Sequence, residues 1–148
     1  MTANAPTGTA ENIKNLSAQL TGWLIDSALP TWAAAGTDPQ RGGCFEAISL
    51  ETRQRSGTTC RARVVPRQIY SFLEGARLGW TGPGAALAAS LLDWCLETYL
   101  LEDGFYAAAA DTDGKVTDAG FDLYNQAFSL FGFAQVAGTI PDRKDEAA

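Results

Sequence analysis

The chain has 148 residues, 46% of them apolar and 19% charged, and its 11 basic and 17 acidic residues give a net charge of −6. This size and composition predict one soluble globular domain with a substantial core. The acidic balance argues against nucleic acids and anionic membranes as partners, since both bind basic surfaces. The absence of histidine excludes mechanisms in which a histidine of this chain moves protons or binds a metal.

Residues 1–10 are small and polar, and we expect them to form a disordered tail without a secretion signal. The apolar runs of the sequence are far shorter than a membrane span. The three cysteines, Cys44, Cys60 and Cys95, are far apart in apolar surroundings and include no Cys-x-x-Cys pair. This pattern predicts reduced, buried thiols in a cytoplasmic protein rather than a metal site.

Four main helices are predicted from apolar positions that recur every three or four residues. The first covers residues 11–28 and is prolonged or kinked at Pro30 as far as residue 35. The second covers residues 65–76, the third residues 85–101 and the fourth residues 122–137. We expect the large aromatic residues at helical spacing to lie in the core; they are Trp23, Trp94, Tyr124, Phe128 and Phe131.

Two hairpins separate these helices in the predicted order. In the first, a short strand at residues 44–48 leads through a polar connection at 49–59 back toward the second helix. In the second, residues 105–110 form a strand, and the Asp-Gly pair at 113–114 is the signal of a tight turn. The acidic residues around this turn do not have the spacing of a calcium-binding EF-hand.

Residues 61–70 combine three arginines with the start of the second helix. Pro66 suits a first helical turn, which places Arg67 beside unpaired N–H groups and the positive end of the helix dipole. A cation at that position needs an anion or a strongly polar group opposite it. From the residues alone, Arg67 either pairs with Glu46 or Glu74 as a structural arginine or faces negative charge in a functional site.

Several motifs follow one another along the chain. They are Gly-Gly-Cys-Phe-Glu at 42–46, Arg-Ala-Arg-Val-x-x-Arg-Gln-Ile-Tyr at 61–70, Leu-Gly-Trp at 78–80, Asp-Gly-Phe at 103–105, Asp-Gly at 113–114 and Asp-Leu-Tyr-Asn-Gln-Ala-Phe at 122–128. This order resembles the N-terminal part of the N-acylglucosamine 2-epimerase family. The resemblance covers nearly all of residues 11–138 but only the first part of a family member.

The resemblance implies an all-α fold, in which four main helices with short hairpins form part of an (α/α)6 barrel and residues 139–148 are a truncated C-terminal end. It also implies 2-epimerisation or aldose–ketose isomerisation of a mannose-like or N-acetylglucosamine-like monosaccharide, without a metal or organic cofactor. Arg67 matches the family arginine that reaches sugar oxygens, and we expect it to act in catalysis and in substrate binding. Tyr124, Arg63 and Asn125 are the further candidate substrate-binding residues.

The family's acid and base are two histidines on later helices, and this chain has neither. We therefore expect the chain to be a truncated fragment that is inactive alone. The alternative is a noncatalytic helical remnant that binds a sugar or a partner. A partial barrel is expected to expose a large apolar face, through which the chain forms a homo-oligomer.

Overall fold

The computed structural model describes residues 7–145 and is mostly helical. Its helices are α1 (Thr7–Trp23), α2 (Leu29–Ala35), α3 (Val64–Arg77), α4 (Gly84–Tyr99) and α5 (Leu123–Thr139), and Pro141–Arg143 adds a short 3₁₀ helix. Residues 1–6 and 146–148, which belong to the predicted terminal segments, lie outside the described residues. Residues 7–10, which the sequence assigned to the tail, belong to α1, which begins at Thr7.

The first two helices form one continuous rod. The segment between them, Leu24–Ala28, is a π-helical turn in which the Leu29 N–H donates to the carbonyl of Leu24. In a regular α-helix, Pro30 would lack a donor and its ring would collide with the carbonyl four residues earlier. The wider π turn directly precedes Pro30 and relieves this conflict, which explains why the helix is prolonged as predicted instead of ending.

The core lies between α3, α4 and α5, and α3 packs against both of the others. The predicted apolar stripe of α3 is confirmed, since Val65, Ile69 and Phe72 are fully buried. The buried side chains of α4 are Ala88, Leu91, Leu92, Trp94, Cys95, Thr98 and Tyr99. From α5, Phe133 and Val136 complete the core, and this helix continues past its predicted end at residue 137 to Thr139.

Five short strands form two antiparallel sheets. The strands are β1 (Ala47–Ile48), β2 (Arg55–Ser56), β3 (Thr59–Arg61), β4 (Ala109–Asp111) and β5 (Val116–Asp118). β1 pairs with β2, and the second sheet has the order β3-β4-β5. The turn between β4 and β5 contains the predicted Asp-Gly pair, and Gly114 has φ +86°, a conformation that side chains with a Cβ rarely adopt.

The first predicted hairpin forms in a shortened version, because β1 pairs with β2, which lies inside the predicted connection. The strand predicted at residues 44–48 is reduced to β1, and β3 pairs with β4 from the second hairpin, with Cys60 opposite Ala110 and Arg61 opposite Ala109. Strands of two or three residues carry too little alternation to specify a partner. This pairing joins the start of α3 to the second half of the chain, directly beside the residues that precede α5.

Two sets of residues predicted for the core are exposed. The side chain of Trp23 is 61% exposed, and the apolar side of α1 faces solvent in the described part of the chain, at Ile13, Leu16 and Leu20. On α5, Tyr124 is 53% exposed and Phe131 39%. The inward face of α5 carries Asn125, Ser129, Gly132, Phe133 and Val136 instead.

The cysteines have the environment that the sequence predicted. Cys44, Cys60 and Cys95 are buried and free, and the hydroxyl of Tyr99 donates to the carbonyl of Cys60 at 3.0 Å. None of the helices within residues 7–145 combines the length and apolar content that a membrane span requires.

Candidate functional site

Arg67 lies at the fourth residue of α3, close to the N-terminal end of the helix. Its Nη2 donates a hydrogen bond of 2.8 Å to the hydroxyl of Tyr124 on α5. Its guanidinium also stacks over the ring of Phe128, with 4.1 Å between its central carbon and the ring centroid. The side chain is therefore fixed by a phenol and an aromatic face, both supplied by α5, while it remains exposed.

The structural pairing considered for Arg67 is absent. Glu46 binds the main-chain N–H of Arg61 at 3.0 Å and its Nε at 2.6 Å, and this carboxylate raises the pKa of the Arg61 guanidinium. Glu74 pairs with Arg77 at 2.9 Å. In the described part of the chain, Arg67 belongs to none of the ion pairs. Its positive charge, beside the N–H groups of the first turn of α3, is available to an anion.

Arg63 joins the same area from the residue that precedes α3. Its Nη1 donates to Oδ1 of Asn125 at 3.1 Å and lies 3.7 Å from the carboxylate of Asp122. Asp122 is also the N-cap of α5 and accepts the N–H of Tyr124 at 3.0 Å. The Asp122 carboxylate thus caps α5 and also pairs with Arg63. The residue that begins the helix therefore helps to position the site.

Asn125 is the most deeply buried polar residue of the site, with 1% of its surface exposed. Because Arg63 donates to Oδ1, the other end of this amide is the donor Nδ2, which has no hydrogen-bond partner among the described residues. Leaving a buried donor unpaired costs about 1–3 kcal/mol. A buried donor of this kind requires an acceptor, which a ligand or an ordered water can supply.

A pocket of about 240 Å³ lies between the three-stranded sheet and the N-terminal end of α5. Its lining residues are Arg61, Arg63, Ala108, Ala109, Asp118, Gly120, Phe121, Asp122 and Asn125. The aspartates of the adjoining β-turn have structural partners: Asp111 accepts the N–H groups of Asp113 and Lys115, and Asp113 pairs with Arg41 at 2.9 Å. Within residues 7–145, no group of three or more His, Cys, Asp or Glu side chains is placed to hold a metal ion.

Comparison with known proteins matches residues 43–148 to the model of the N-acylglucosamine 2-epimerase family. The chain belongs to this family. It is also 43% identical over 128 residues to a mannose-6-phosphate isomerase of Rhizobium meliloti (strain 1021), with 86% of this chain and 33% of that protein covered. The chain therefore spans about a third of the length of this curated relative.

A solved structure of the family's fold supports the helical architecture. The cellobiose 2-epimerase from Spirochaeta thermophila DSM 6192 superposes with a TM-score of 0.80 at 21% identity, over 96% of this chain and 35% of that structure. At this identity the similarity concerns the fold alone. It shows that the described helices and short sheets of this epimerase-family chain form a known arrangement.

The structure brings together all four residues that the sequence singled out: Arg63, Arg67, Tyr124 and Asn125. The sequence assigned Phe128 to the core rather than to the site, although it lies four residues after Tyr124 and therefore on the same face of a helix. Apart from Arg63 and Asn125, it also missed the lining residues of the pocket, because the β3–β4 pairing that places the sheet beside α5 was not predicted. These residues of the epimerase-family chain could not be identified from the sequence, because their proximity depends on the tertiary structure.

Proposed function

We propose that this chain is part of a carbohydrate isomerase or 2-epimerase that acts on a mannose-like or N-acetylglucosamine-like monosaccharide. The observation that carries the proposal is the Arg67 guanidinium, which is held by Tyr124 and Phe128 and belongs to no ion pair in the described residues. Membership of the family and the 43% identical relative support a sugar as the substrate. The shared helices and the TM-score of 0.80 support our proposal that the fold is the first part of an (α/α)6 barrel.

In the proposed reaction the sugar ring opens, and a base removes the proton from C2. The electron pair of the C2–H bond moves into a C1–C2 double bond, and negative charge develops on the oxygen at C1 or C2. Return of a proton to the opposite face of C2 gives the epimer, while protonation at C1 gives the ketose. A fixed guanidinium opposite the developing oxyanion stabilises the intermediate, an effect typically worth about 3–4 kcal/mol in the transition state.

We propose that the proton carriers of this reaction lie outside this chain. It contains no histidine, and neutral histidines are the usual carriers near neutral pH. The relative is about three times as long as the stretch that this chain matches. We therefore propose that residues 1–148 supply the oxyanion-stabilising part of the site and that the acid and base come from the part of the family domain that they do not include.

The first test is direct turnover of D-mannose and N-acetylmannosamine by the purified 148-residue chain. We expect no conversion above the background without protein. Clear turnover by the chain would disprove the proposed need for histidines from elsewhere in the domain.

The second test joins residues 1–148 to the remaining two thirds of the Rhizobium meliloti relative, whose corresponding third is 43% identical. We expect this chimera to interconvert sugars and Arg67→Ala to lower its kcat by about 10²–10³-fold. The matched control is Arg77→Ala, which removes the same charge from the C-terminal end of α3. Equal activity of the Arg67→Ala chimera and the control would contradict the proposed role of Arg67.

A second candidate function is a noncatalytic sugar-binding module. The specific observation in its favour is that the candidate site is assembled within the chain although histidine is absent. Sugar binding by the chain together with a folded but inactive chimera would favour this second function.

A further inference from the structure

Two of the three cysteines are direct neighbours in the core, although they are far apart in the sequence. The thiol of Cys44 donates a hydrogen bond to the sulfur of Cys60. Both side chains belong to the same apolar cluster and are free, with 5% of Cys44 and 2% of Cys60 exposed. Cys95 lies in the same cluster, but burial is the main cause of its raised pKa. Cys44 and Cys60 are therefore the pair whose sulfurs meet.

Contacts other than those of the sulfurs hold the two segments side by side. Glu46, two residues after Cys44, accepts the main-chain N–H of Arg61 at 3.0 Å and its Nε at 2.6 Å. On the other side, the hydroxyl of Tyr99 donates to the carbonyl of Cys60 at 3.0 Å. The packing of the fold thus brings the two thiols together, as a disulfide between them requires.

The two thiols differ in how easily they lose a proton. The pKa of Cys60 is lowered from 9.0, chiefly because the Cys44 thiol donates to its sulfur, and the same hydrogen bond raises the pKa of Cys44. The thiolate is the form of cysteine that attacks an oxidant, so Cys60 is the sulfur that reacts first.

Cys60 also lies where a small local opening exposes it. It is the middle residue of β3, which has three residues, forms an edge of its sheet and is exposed on both sides of Cys60. Short elements at an edge open locally at a low cost in free energy. A small oxidant can therefore reach Cys60 without unfolding of the core helices.

We propose that Cys44 and Cys60 form a reversible disulfide when the chain meets a peroxide. The Cys60 thiolate attacks one peroxide oxygen, so that an S–O bond forms, the O–O bond breaks and the second oxygen leaves as water after taking up a proton. Cys44 then attacks the sulfur of this sulfenic acid; the S–S bond forms, the S–O bond breaks and a second water leaves. The two sulfurs lose two electrons and the peroxide gains them, while a dithiol reductant restores both thiols.

The disulfide would act on the fold at the entrance to the candidate site. It would close a loop around β1 and β2 and link this loop to β3, directly before Arg61 and Arg63. A cross-link restricts the unfolded chain, so we expect the oxidised chain to unfold at a higher urea concentration than the reduced chain. The inference does not depend on the proposed sugar chemistry.

The test treats the folded chain with hydrogen peroxide, blocks the remaining thiols with iodoacetamide in denaturant and maps the peptides by mass spectrometry. Cleavage after arginine separates the two cysteines, because Arg53 and Arg55 lie between them. We expect the peptides of Cys44 and Cys60 to be linked, Cys95 to be alkylated, and dithiothreitol to restore all three thiols.

Two variants test the order of the steps. In Cys44→Ser the sulfenic acid has no partner, and we expect dimedone, which traps sulfenic acids, to label Cys60. In Cys60→Ser we expect Cys44 to remain a thiol under the same conditions. Cys95→Ala is the matched control, since it removes a thiol of the same cluster and should leave the link between Cys44 and Cys60 unchanged. The peptide map of the unsubstituted chain decides the proposal even where a variant does not fold.

Three outcomes would overturn the inference. One is a folded chain that keeps all three thiols at a peroxide concentration that oxidises the urea-unfolded chain. The others are a disulfide that includes Cys95 and equal dimedone labelling of Cys44 and Cys60 in the two serine variants. Because none of these measurements uses a sugar, an inactive chimera would refute the proposed reaction and leave this inference standing.

Discussion

Gly132 lies where α5 crosses α3, and the site depends on this crossing. A Cβ added at residue 132 would be 2.4 Å from Cβ of Pro66 and 2.8 Å from its Cα, whereas carbon atoms in contact normally lie 3.5–4.0 Å apart. One of these atoms belongs to the main chain, so no side-chain rotation relieves the overlap. The two helices must move apart by roughly 1 Å, which also moves Arg67, the neighbour of Pro66, away from Tyr124.

The expected energy of Gly132→Ala is the balance of two effects. Alanine favours a helix over glycine by about 1 kcal/mol, while overpacking of a close contact typically costs about 1–3 kcal/mol. Because the main chain of α3 must shift, we expect the cost to lie in the upper part of this range. The variant should therefore lose about 1–2 kcal/mol of the free energy of unfolding.

The assay is equilibrium unfolding in urea followed by far-ultraviolet circular dichroism. Gly138→Ala is the matched control, since it lies in the same helix and an added Cβ meets no atom within 4 Å. We expect this control to be as stable as the parent or more stable by up to about 1 kcal/mol. If Gly132→Ala is as stable as the control, the close packing of α3 on α5 inferred from the structure is wrong.

Three further predictions concern the core and the surface. Burial raises the pKa of the Cys95 thiol from 9.0 to about 12, so the unfolded chain releases a proton between these pH values that the folded chain keeps. Stability should fall there by up to about 1.4 kcal/mol per pH unit, and Cys95→Ala should lessen this slope in urea titrations across that range. Tyr99→Phe leaves the carbonyl of Cys60 without its hydroxyl donor and should cost about 1–2 kcal/mol of the free energy of unfolding, measured by the same unfolding assay. The exposed apolar side of α1 should make the chain self-associate in sedimentation experiments, and Leu16→Gln with Leu20→Gln should shift it toward monomer; a parent chain that stays monomeric at all concentrations would contradict this.

The helices could be predicted because their signal is local. Val65, Ile69 and Phe72 recur at helical spacing, and each contacts the core through the same face of α3. The sheet could not be predicted in this way. β3 and β4 are about fifty residues apart in the chain, and two or three residues per strand do not encode which partner they meet.

In the candidate site too, the position of a residue in its helix could be predicted from the sequence, whereas its contacts with distant residues could not. The helix-entrance argument placed Arg67 correctly near the start of α3, but it left the partner open. Arg67 and Tyr124 are separated by 57 residues, and Arg63 and Asn125 by 62, so only the resemblance to a family linked them in advance. The unpaired Nδ2 of Asn125 could not be predicted from the sequence, because the burial of an atom and its hydrogen-bond partners depend on the folded structure.

The aromatic residues of α5 were predicted to lie in the core because they recur at helical spacing. In the structure, Tyr124 and Phe131 are exposed. Periodicity identifies an apolar face but not the side of the helix that meets the rest of the protein. On α5, close approach to α3 at Pro66 leaves no space for a side chain at Gly132. Phe133 is the ring that faces the core, and the predicted stripe of Tyr124, Phe128 and Phe131 lies on a neighbouring face.

On that neighbouring face the rings form a connected row across two helices. Tyr124 contacts Phe128 with 4.9 Å between centroids, and Phe131 contacts Tyr70 of α3 at 5.0 Å. Arg67 lies on this row, over Phe128. An aromatic face attracts a guanidinium without neutralising its charge, whereas a carboxylate would neutralise it. The outward stripe therefore allows α5 to fix the position of Arg67 and leaves its full positive charge available, as the proposed stabilisation of an oxyanion requires.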